Sequence, residues 1–245
     1  MKSKQFALSA EFIRLPSPGA IEEQTYARGF KCIAGLDEVG RGPLAGPVVA
    51  AAVVLPRGFS NGDIKDSKLL SAAQREKLIP VIKENAVCWG LGVVPVEEID
   101  RLNILKASLL AMAKAFQALR PTPDCLLIDG RQAIPAEFFR LKRISLKLRP
   151  QQRTIVKGDQ LCFSIAAASI LAKVARDAMM VELDKSYPEY GFAGHKGYSC
   201  SAHLEALRRF GPSPIHRRSF KPVREVCDEG LLHKALTLFS SSGEE

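Results

Sequence analysis

Two adjacent acids, Asp37 and Glu38, stand between an apolar run and a glycine-rich turn. The run at 32–36 has the length of a buried strand, and the turn reads Val-Gly-Arg-Gly-Pro over 39–43. Neighbouring strand residues face opposite sides, so both acids can face one ligand only where the strand frays into the turn. Close carboxylates raise each other's pKa unless a cation compensates them, and their oxygens suit Mg²⁺ or Mn²⁺. The pair predicts a metal site that further acids complete.

Two alternatives to a metal site fit parts of this stretch. A solvated acidic turn stays open on these two residues alone, because exposed acids at strand ends are common. A dinucleotide-binding turn is suggested by Gly40-x-Gly42 after a strand, but the spacing to Gly46 is one residue too long. Pro43 and Pro47 also disfavour a helix directly after the turn, and the two acids would repel a pyrophosphate.

Two later apolar runs end near acids in the same way. The run 125–128 is followed by Asp129 and a glycine, and the short run 154–156 is followed, after Lys157, by a glycine and Asp159. We expect these to be the third and fourth carboxylates of the site. Such a cluster can bind two divalent cations around a phosphodiester, so it predicts a metal-dependent enzyme that acts on nucleic acid.

Composition agrees with a nucleic-acid partner without choosing it. The 245 residues carry a net charge of +9 and a sequence pI near 9.3, which favours a polyanion, either nucleic acid or a membrane surface. No stretch resembles a membrane span or a signal peptide, so we expect a soluble cytoplasmic protein. The six cysteines stand singly, as in a reducing compartment, and nothing suggests zinc.

The order of apolar runs predicts an α/β fold with a mixed central sheet flanked by helices and a small C-terminal helical segment. We expect a loosely ordered lead-in at 1–29, one domain at 30–226, and a C-terminal helix with a disordered tail at 227–245. Predicted strands cover 32–36, 48–55, 88–94, 125–128 and 154–156. Predicted helices cover 71–84, 95–119, 164–188, 201–210 and 229–239.

A loop at 190–198 mixes glycines, aromatic residues and bases. This composition suits a nucleic-acid backbone with a stacked sugar or base, and an aromatic-anchored surface loop is the alternative. His195 lies in this loop, and His216 begins a basic stretch that by itself reads as a solvated face; both histidines could meet phosphate. We expect His203 and His233 to lie on helix surfaces.

The run 35–49 resembles the signature of the ribonuclease HII family, the type 2 ribonucleases H. The resemblance covers about 30–226. Further stretches that resemble the family follow in the family's order: 66–68, 103–104, 127–130, 156–159, 167–177, 195–198 and 216–220.

The resemblance implies that Asp37, Glu38, Asp129 and Asp159 are the metal-binding carboxylates of a ribonuclease H-like fold, with Mg²⁺ or Mn²⁺ as cofactor. It implies hydrolysis of RNA in RNA/DNA hybrids, and a cut on the 5′ side of a single ribonucleotide in duplex DNA that leaves 3′-hydroxyl and 5′-phosphate ends. Ribonucleotide removal and primer processing are the implied roles. A non-catalytic nucleic-acid-binding module of the same fold is the alternative, and the presence of all four acids disfavours it.

The resemblance also implies how substrate is bound. Backbone groups of Gly40, Arg41 and Gly42 would read the 2′-hydroxyl, Tyr198 would stack on the adjoining sugar, and Lys68 would contact a phosphate. We expect a monomer with no membrane partner, and the sequence identifies no replication partner. The larger N-terminal domain of the related ribonucleases HIII has no counterpart in the short lead-in.

Overall fold

A five-stranded mixed sheet lies at the centre of the chain. The structure, a computed structural model, describes residues 17–142 and 150–228. The strand order is β3-β2-β1-β4-β5, in which β1, β2 and β3 pair antiparallel while β4 and β5 run parallel to β1. This confirms the predicted α/β class. The strands are β1 (Ile33–Val39), β2 (Val48–Val54), β3 (Cys88–Val94), β4 (Cys125–Asp129) and β5 (Gln151–Ile155).

Helices cover both faces of the sheet. They are α1 (Ala20–Ala27), α2 (Ala72–Asn85), α3 (Val96–Leu102), α4 (Ile104–Gln117), α5 (Gly158–Leu161), α6 (Phe163–Ser186), α7 (Phe192–His195), α8 (Ser201–Phe210) and α9 (221–228). Short 3₁₀ turns lie at Ser67–Leu69, Ala136–Lys142 and Pro188–Tyr190. Within the described ranges, no helix is long and apolar enough to cross a membrane.

The strand β2 shows why the sheet is covered on both sides. All of its side chains are buried, and they alternate between two cores: Ala50 and Ala52 pack with α4, while Ala51 and Val53 pack with α2 and α6. Small residues let the helices approach. A Cβ added to Gly35 of β1 would lie 2.3 Å from the backbone of α6, so only glycine fits there. This contact holds β1, with its two acids, against α6.

Three elements differ from the prediction. The lead-in contains α1, whose Ile21 is buried, so this part of 1–29 is ordered against the domain. The helix predicted over 95–119 is two helices, because Asn103 adopts a left-handed φ of 71° and its side chain accepts a bond from the Lys106 amide to cap α4. The last strand is β5, which begins and ends earlier than 154–156.

Other expectations agree with the structure. Helix α2 begins where predicted, since Ser71 and Gln74 form a capping box. All six cysteines are free and lie in the described part of the chain. The predicted helix at 229–239 lies outside the described residues.

Candidate active site

Asp37 and Glu38 lie within β1, not at a frayed strand end as predicted. They pair with Ala51 and Ala50 of β2, because β2 stays hydrogen-bonded to β1 as far as Val39. On the other side, β4 pairs with β1 only up to Leu36, so the sheet opens beside the two acids. The acids keep a regular backbone and lie beside a gap in the sheet.

Asp129 ends β4 and faces the same gap. Its Oδ1 accepts a bond from the Gly158 amide at 2.7 Å, which ties the end of β4 to the start of α5. Asp159 lies in the first turn of α5, not at a strand end as predicted, because Lys157 adopts a left-handed φ of 58° and turns the chain into a helix. The turn after β5 therefore places Asp159 beside Asp129.

Charge repulsion shows that the four carboxylates form one cluster. Burial raises the pKa of Asp37, and the negative charges of Glu38, Asp129 and Asp159 raise it further. Burial also raises the pKa of Glu38, and Asp129 adds to this while Arg41 opposes it. A set of buried carboxylates that destabilise one another is stabilised by a hard cation, so their chemistry fits a divalent metal.

Hydrogen bonds within the site orient Asp37 and Glu38. In the described ranges, no three acidic, histidine or cysteine side chains are already placed to bind an ion together. Asp37 Oδ1 accepts from the Glu38 amide at 2.7 Å, and Glu38 Oε1 lies 3.1 Å from Arg41 Nη1.

Two exposed cations flank the four acids. We call these acids the carboxylate cluster: Asp37, Glu38, Asp129 and Asp159. The side chain of Arg41 is 49% exposed beside Glu38, and the side chain of Lys68 is 80% exposed with Nζ 3.6 Å from Asp159 Oδ2. Partial burial lowers the pKa of Lys68, but the charges of Asp66 and Asp159 more than offset this and raise it overall. The site therefore has buried acids in its floor and exposed cations at its rim.

The structure brings the glycine turn and the aromatic loop together at this rim. Gly42 is exposed, and a Cβ added to it would lie 3.7 Å from Tyr198 Cε1. The Leu44 amide donates to the Gly197 carbonyl at 2.8 Å and links the two loops. The ring of Tyr198 is partly exposed beside the turn, where a sugar could pack on it.

Sequence reasoning missed the residue that shapes the glycine turn. Arg217 belongs to the basic stretch that by itself has the composition of a solvated face, but the structure buries it completely. Among the described residues its guanidinium has no carboxylate within ion-pair distance, and it donates to main-chain carbonyls. The acceptors are Gly40 at 2.6 Å, Arg41 at 3.1 Å, Gly46 at 3.0 and 2.8 Å, and Pro47 at 3.2 Å.

A second buried arginine, Arg176 of α6, holds the other side of the same loop. It donates to the carbonyls of Pro47 at 2.9 Å, Ala45 at 3.1 Å and Lys196 at 3.0 Å. Burial and the charge of Arg176 lower the pKa of Arg217 to about 9. Two buried guanidinium groups thus donate hydrogen bonds to the carbonyls of the loop at 40–47. These bonds hold the loop in one conformation.

We expect Arg217→Ala to lower the free energy of unfolding by about 3 kcal/mol or more, because several buried main-chain carbonyls lose a charged donor. Arg217→Lys should rescue little, since one ammonium cannot reach carbonyls that the planar guanidinium spans. Urea denaturation measures both. The adjacent, exposed Arg218→Ala is the control, and an equal loss in Arg218→Ala would contradict the assignment.

The histidine predictions were wrong for two residues. His216 is 1% exposed and His203 is fully buried, so His216 does not face a phosphate and His203 is not on a helix surface. Their ring nitrogens lie 3.0 Å apart, Nε2 to Nε2. His195 is partly buried and bonds to its own loop. His233 lies outside the described residues.

The chain is similar in sequence and in structure to proteins of one family. A family model described as Ribonuclease HII matches residues 34–223. The chain is 52% identical over 210 residues to a ribonuclease HII of Ruminiclostridium cellulolyticum, covering 86% of this chain and 78% of that one. It is 49% identical over 209 residues to a ribonuclease HII of Syntrophotalea carbinolica, covering 85% and 94%. The crystal structure of the ribonuclease H2 from Pyrococcus horikoshii OT3 superposes with a TM-score of 0.65 at 29% identity, covering 81% of this chain and 98% of that one.

Proposed function

The chain belongs to the ribonuclease HII family, and we propose that it is a divalent-metal-dependent endoribonuclease. Its substrates are the RNA strand of RNA/DNA hybrids and single ribonucleotides in duplex DNA. It cuts on the 5′ side of the ribonucleotide and leaves 3′-hydroxyl and 5′-phosphate ends. The observation that carries this proposal is the carboxylate cluster, which lies in a gap of the sheet with cations at its rim.

The four carboxylates are the residues that would hold the metal. Bound divalent ions would supply charge neutralisation at the scissile phosphate and would lower the pKa of the attacking water. Asp37 and Asp159 lie deep, at 8% and 6% exposed, and Glu38 and Asp129 border them. Because these acids come from β1, β4 and α5, a rigid frame fixes their spacing.

The rim residues would bind and orient the nucleic acid. Arg41 and Lys68 would attract the phosphate backbone towards a floor that is itself negative. Arg217 already donates hydrogen bonds to the carbonyls of Gly40 and Arg41. The backbone amides of the turn are therefore the groups that would bind a 2′-hydroxyl. Tyr198 would pack against the next sugar and hold the ribonucleotide in place over the acids.

The test of this function is a cleavage assay on three duplexes that carry one ribonucleotide, a ribonucleotide run, or none. We expect Mg²⁺- or Mn²⁺-dependent cutting of the first two, no cutting of the third, and 5′-phosphate on the downstream product. Tight binding of all three duplexes without cleavage in either metal would favour the non-catalytic binding module instead.

Binding should depend strongly on salt. Each phosphate that a lysine or arginine neutralises releases condensed counterions, so affinity falls with ionic strength. With two or more such contacts, the dissociation constant should rise about tenfold or more between roughly 50 and 200 mM salt. Fluorescence anisotropy in Ca²⁺ or without metal measures it, and an affinity that stays flat over this range would contradict the role of the basic rim.

A further inference from the structure

Three imidazoles lie in a row beneath Tyr198. His195 stacks on His203 with ring centroids 4.4 Å apart, and His203 contacts His216 through their Nε2 atoms at 3.0 Å. Tyr190 and Phe192 pack around the row, with Phe192 5.4 Å from His203 and 5.6 Å from His216 between centroids. Polar rings in such an apolar setting need every nitrogen satisfied.

The hydrogen bonds fix one set of tautomers. The Ser213 amide donates to His216 Nδ1 at 3.0 Å, so His216 carries its proton on Nε2 and donates to His203 Nε2. His203 then carries its proton on Nδ1, which lies 2.9 Å from the Tyr198 carbonyl. The result is a directed chain from Ser213 through both rings to the backbone of Tyr198.

His195 binds the same loop from the other side. Its Nδ1 accepts from the Gly197 amide at 3.1 Å, so its Nε2 donates to the Tyr190 carbonyl at 2.8 Å. Its own carbonyl accepts from the Tyr198 amide at 3.0 Å. The backbone of Tyr198 is therefore held at both its amide and its carbonyl, while its ring stays exposed at the rim.

We propose that His203 is a positioning residue that sets the orientation of Tyr198 for the ribonucleotide beside Gly42. The inference rests on the proposed function, since it needs a substrate that Tyr198 contacts. The Tyr198 carbonyl also accepts from the Cys200 amide at 2.9 Å. His203 is thus the second donor to this carbonyl, and its contribution is to fix the direction in which the carbonyl points. Without it, the loop remains folded and the Tyr198 ring loses its fixed direction.

Two substitutions at His203 separate hydrogen bonding from packing. His203→Asn places an amide nitrogen where Nδ1 was and keeps the donor to the Tyr198 carbonyl. His203→Gln places its amide near Nε2, keeps an acceptor for His216 and loses the donor to Tyr198. Each is measured for cleavage of a single-ribonucleotide duplex, with kcat and KM separated, in the parent and in Tyr198→Ala.

We expect His203→Gln to lower kcat/KM about tenfold when Tyr198 is present and to have little further effect in Tyr198→Ala, because contacting residues couple. His203→Asn should retain most of the activity. An equal loss from His203→Gln in both backgrounds, or an equal loss from His203→Asn and His203→Gln, would show that the histidine acts only through packing and would overturn the proposal.

Further outcomes keep the two proposals distinct. If Tyr198→Ala cleaves as well as the parent, the positioning role is wrong while the ribonuclease function stands. If the parent cleaves no ribonucleotide duplex, the proposed function is wrong. If His203→Gln does not fold, His203→Leu, which also lacks a donor to the Tyr198 carbonyl, replaces it in the same cycle with the same expected coupling to Tyr198.

Imidazole nitrogen NMR tests the chain without any activity. We expect the Nδ1–H tautomer for His203 and the Nε2–H tautomer for His216, both neutral at pH 7, since burial lowers the pKa of both and that of His216 to about 3. The opposite tautomer at either ring would overturn the proposal.

Discussion

Asp129→Asn should nearly abolish cleavage while leaving the fold and duplex binding intact. The substitution removes one negative charge from the carboxylate cluster, and metal-supplied stabilisation of several kcal/mol corresponds to a loss in kcat of about 100- to 1,000-fold. The asparagine oxygen can still accept the Gly158 amide that Asp129 Oδ1 accepts at 2.7 Å, so the link between β4 and α5 remains. The expected loss is thus one of metal-dependent chemistry and not of structure.

The measurement is single-turnover cleavage over a range of Mg²⁺ and Mn²⁺ concentrations, with duplex affinity and thermal unfolding recorded alongside. Asp124→Asn is a control for the loss of one negative charge, because Asp124 precedes the opposite end of β4, where its side chain accepts from the backbone amides of Lys31 and Cys32. Cleavage by Asp129→Asn near the parent rate, or an equal loss in Asp124→Asn, would remove Asp129 from the site.

Three of the four acids were placed on the correct elements from sequence alone, because apolar runs of strand length are a strong local signal. Asp37, Glu38 and Asp129 each follow such a run, and the parallel pairing of β1 with β4 brings the ends of those runs together. Asp159 was predicted at a strand end and lies in a helix. The left-handed turn at Lys157 has no clear sequence signal, since lysine adopts this conformation rarely.

The buried polar residues could not be placed from sequence. Arg217 and His216 belong to a run of bases that has the composition of a solvated face, and nothing local distinguishes them from exposed Arg218. Their partners lie on other elements: Arg217 binds the carbonyl of Gly40, 177 residues away, and His216 contacts His203 of α8. A charged side chain can be buried only where such acceptors surround it, and the hydrophobic pattern of the sequence does not show where they lie.

The glycine turn gives the second large effect, because Gly42 is a position where a side chain affects the ligand and not the fold. Gly42 is exposed and has no left-handed φ, and a Cβ there would make an ordinary contact with Tyr198 at 3.7 Å. Gly40 differs: its φ is 90° and a Cβ would lie 2.2 Å from Arg176 Nε, so Gly40→Ala would strain the protein itself. Gly42→Ala is therefore the clean test of how the turn approaches a ribose.

Gly42→Ala should cut a single-ribonucleotide duplex about 100-fold more slowly than the parent, because a displacement of about 1 Å at a reacting group can cost that factor. Tyr198→Ala should lower the rate of the same reaction. It should also reduce the preference for cutting at an RNA-to-DNA junction over other sites. Gly62→Ala is the control, as a Cβ there meets nothing within 4 Å and its φ is not left-handed. The assay compares duplexes with one ribonucleotide, a run, or none, in Mg²⁺ and in Mn²⁺. If Gly42→Ala cuts the single-ribonucleotide duplex as well as the parent and Gly62→Ala do, the turn is not the ribose reader.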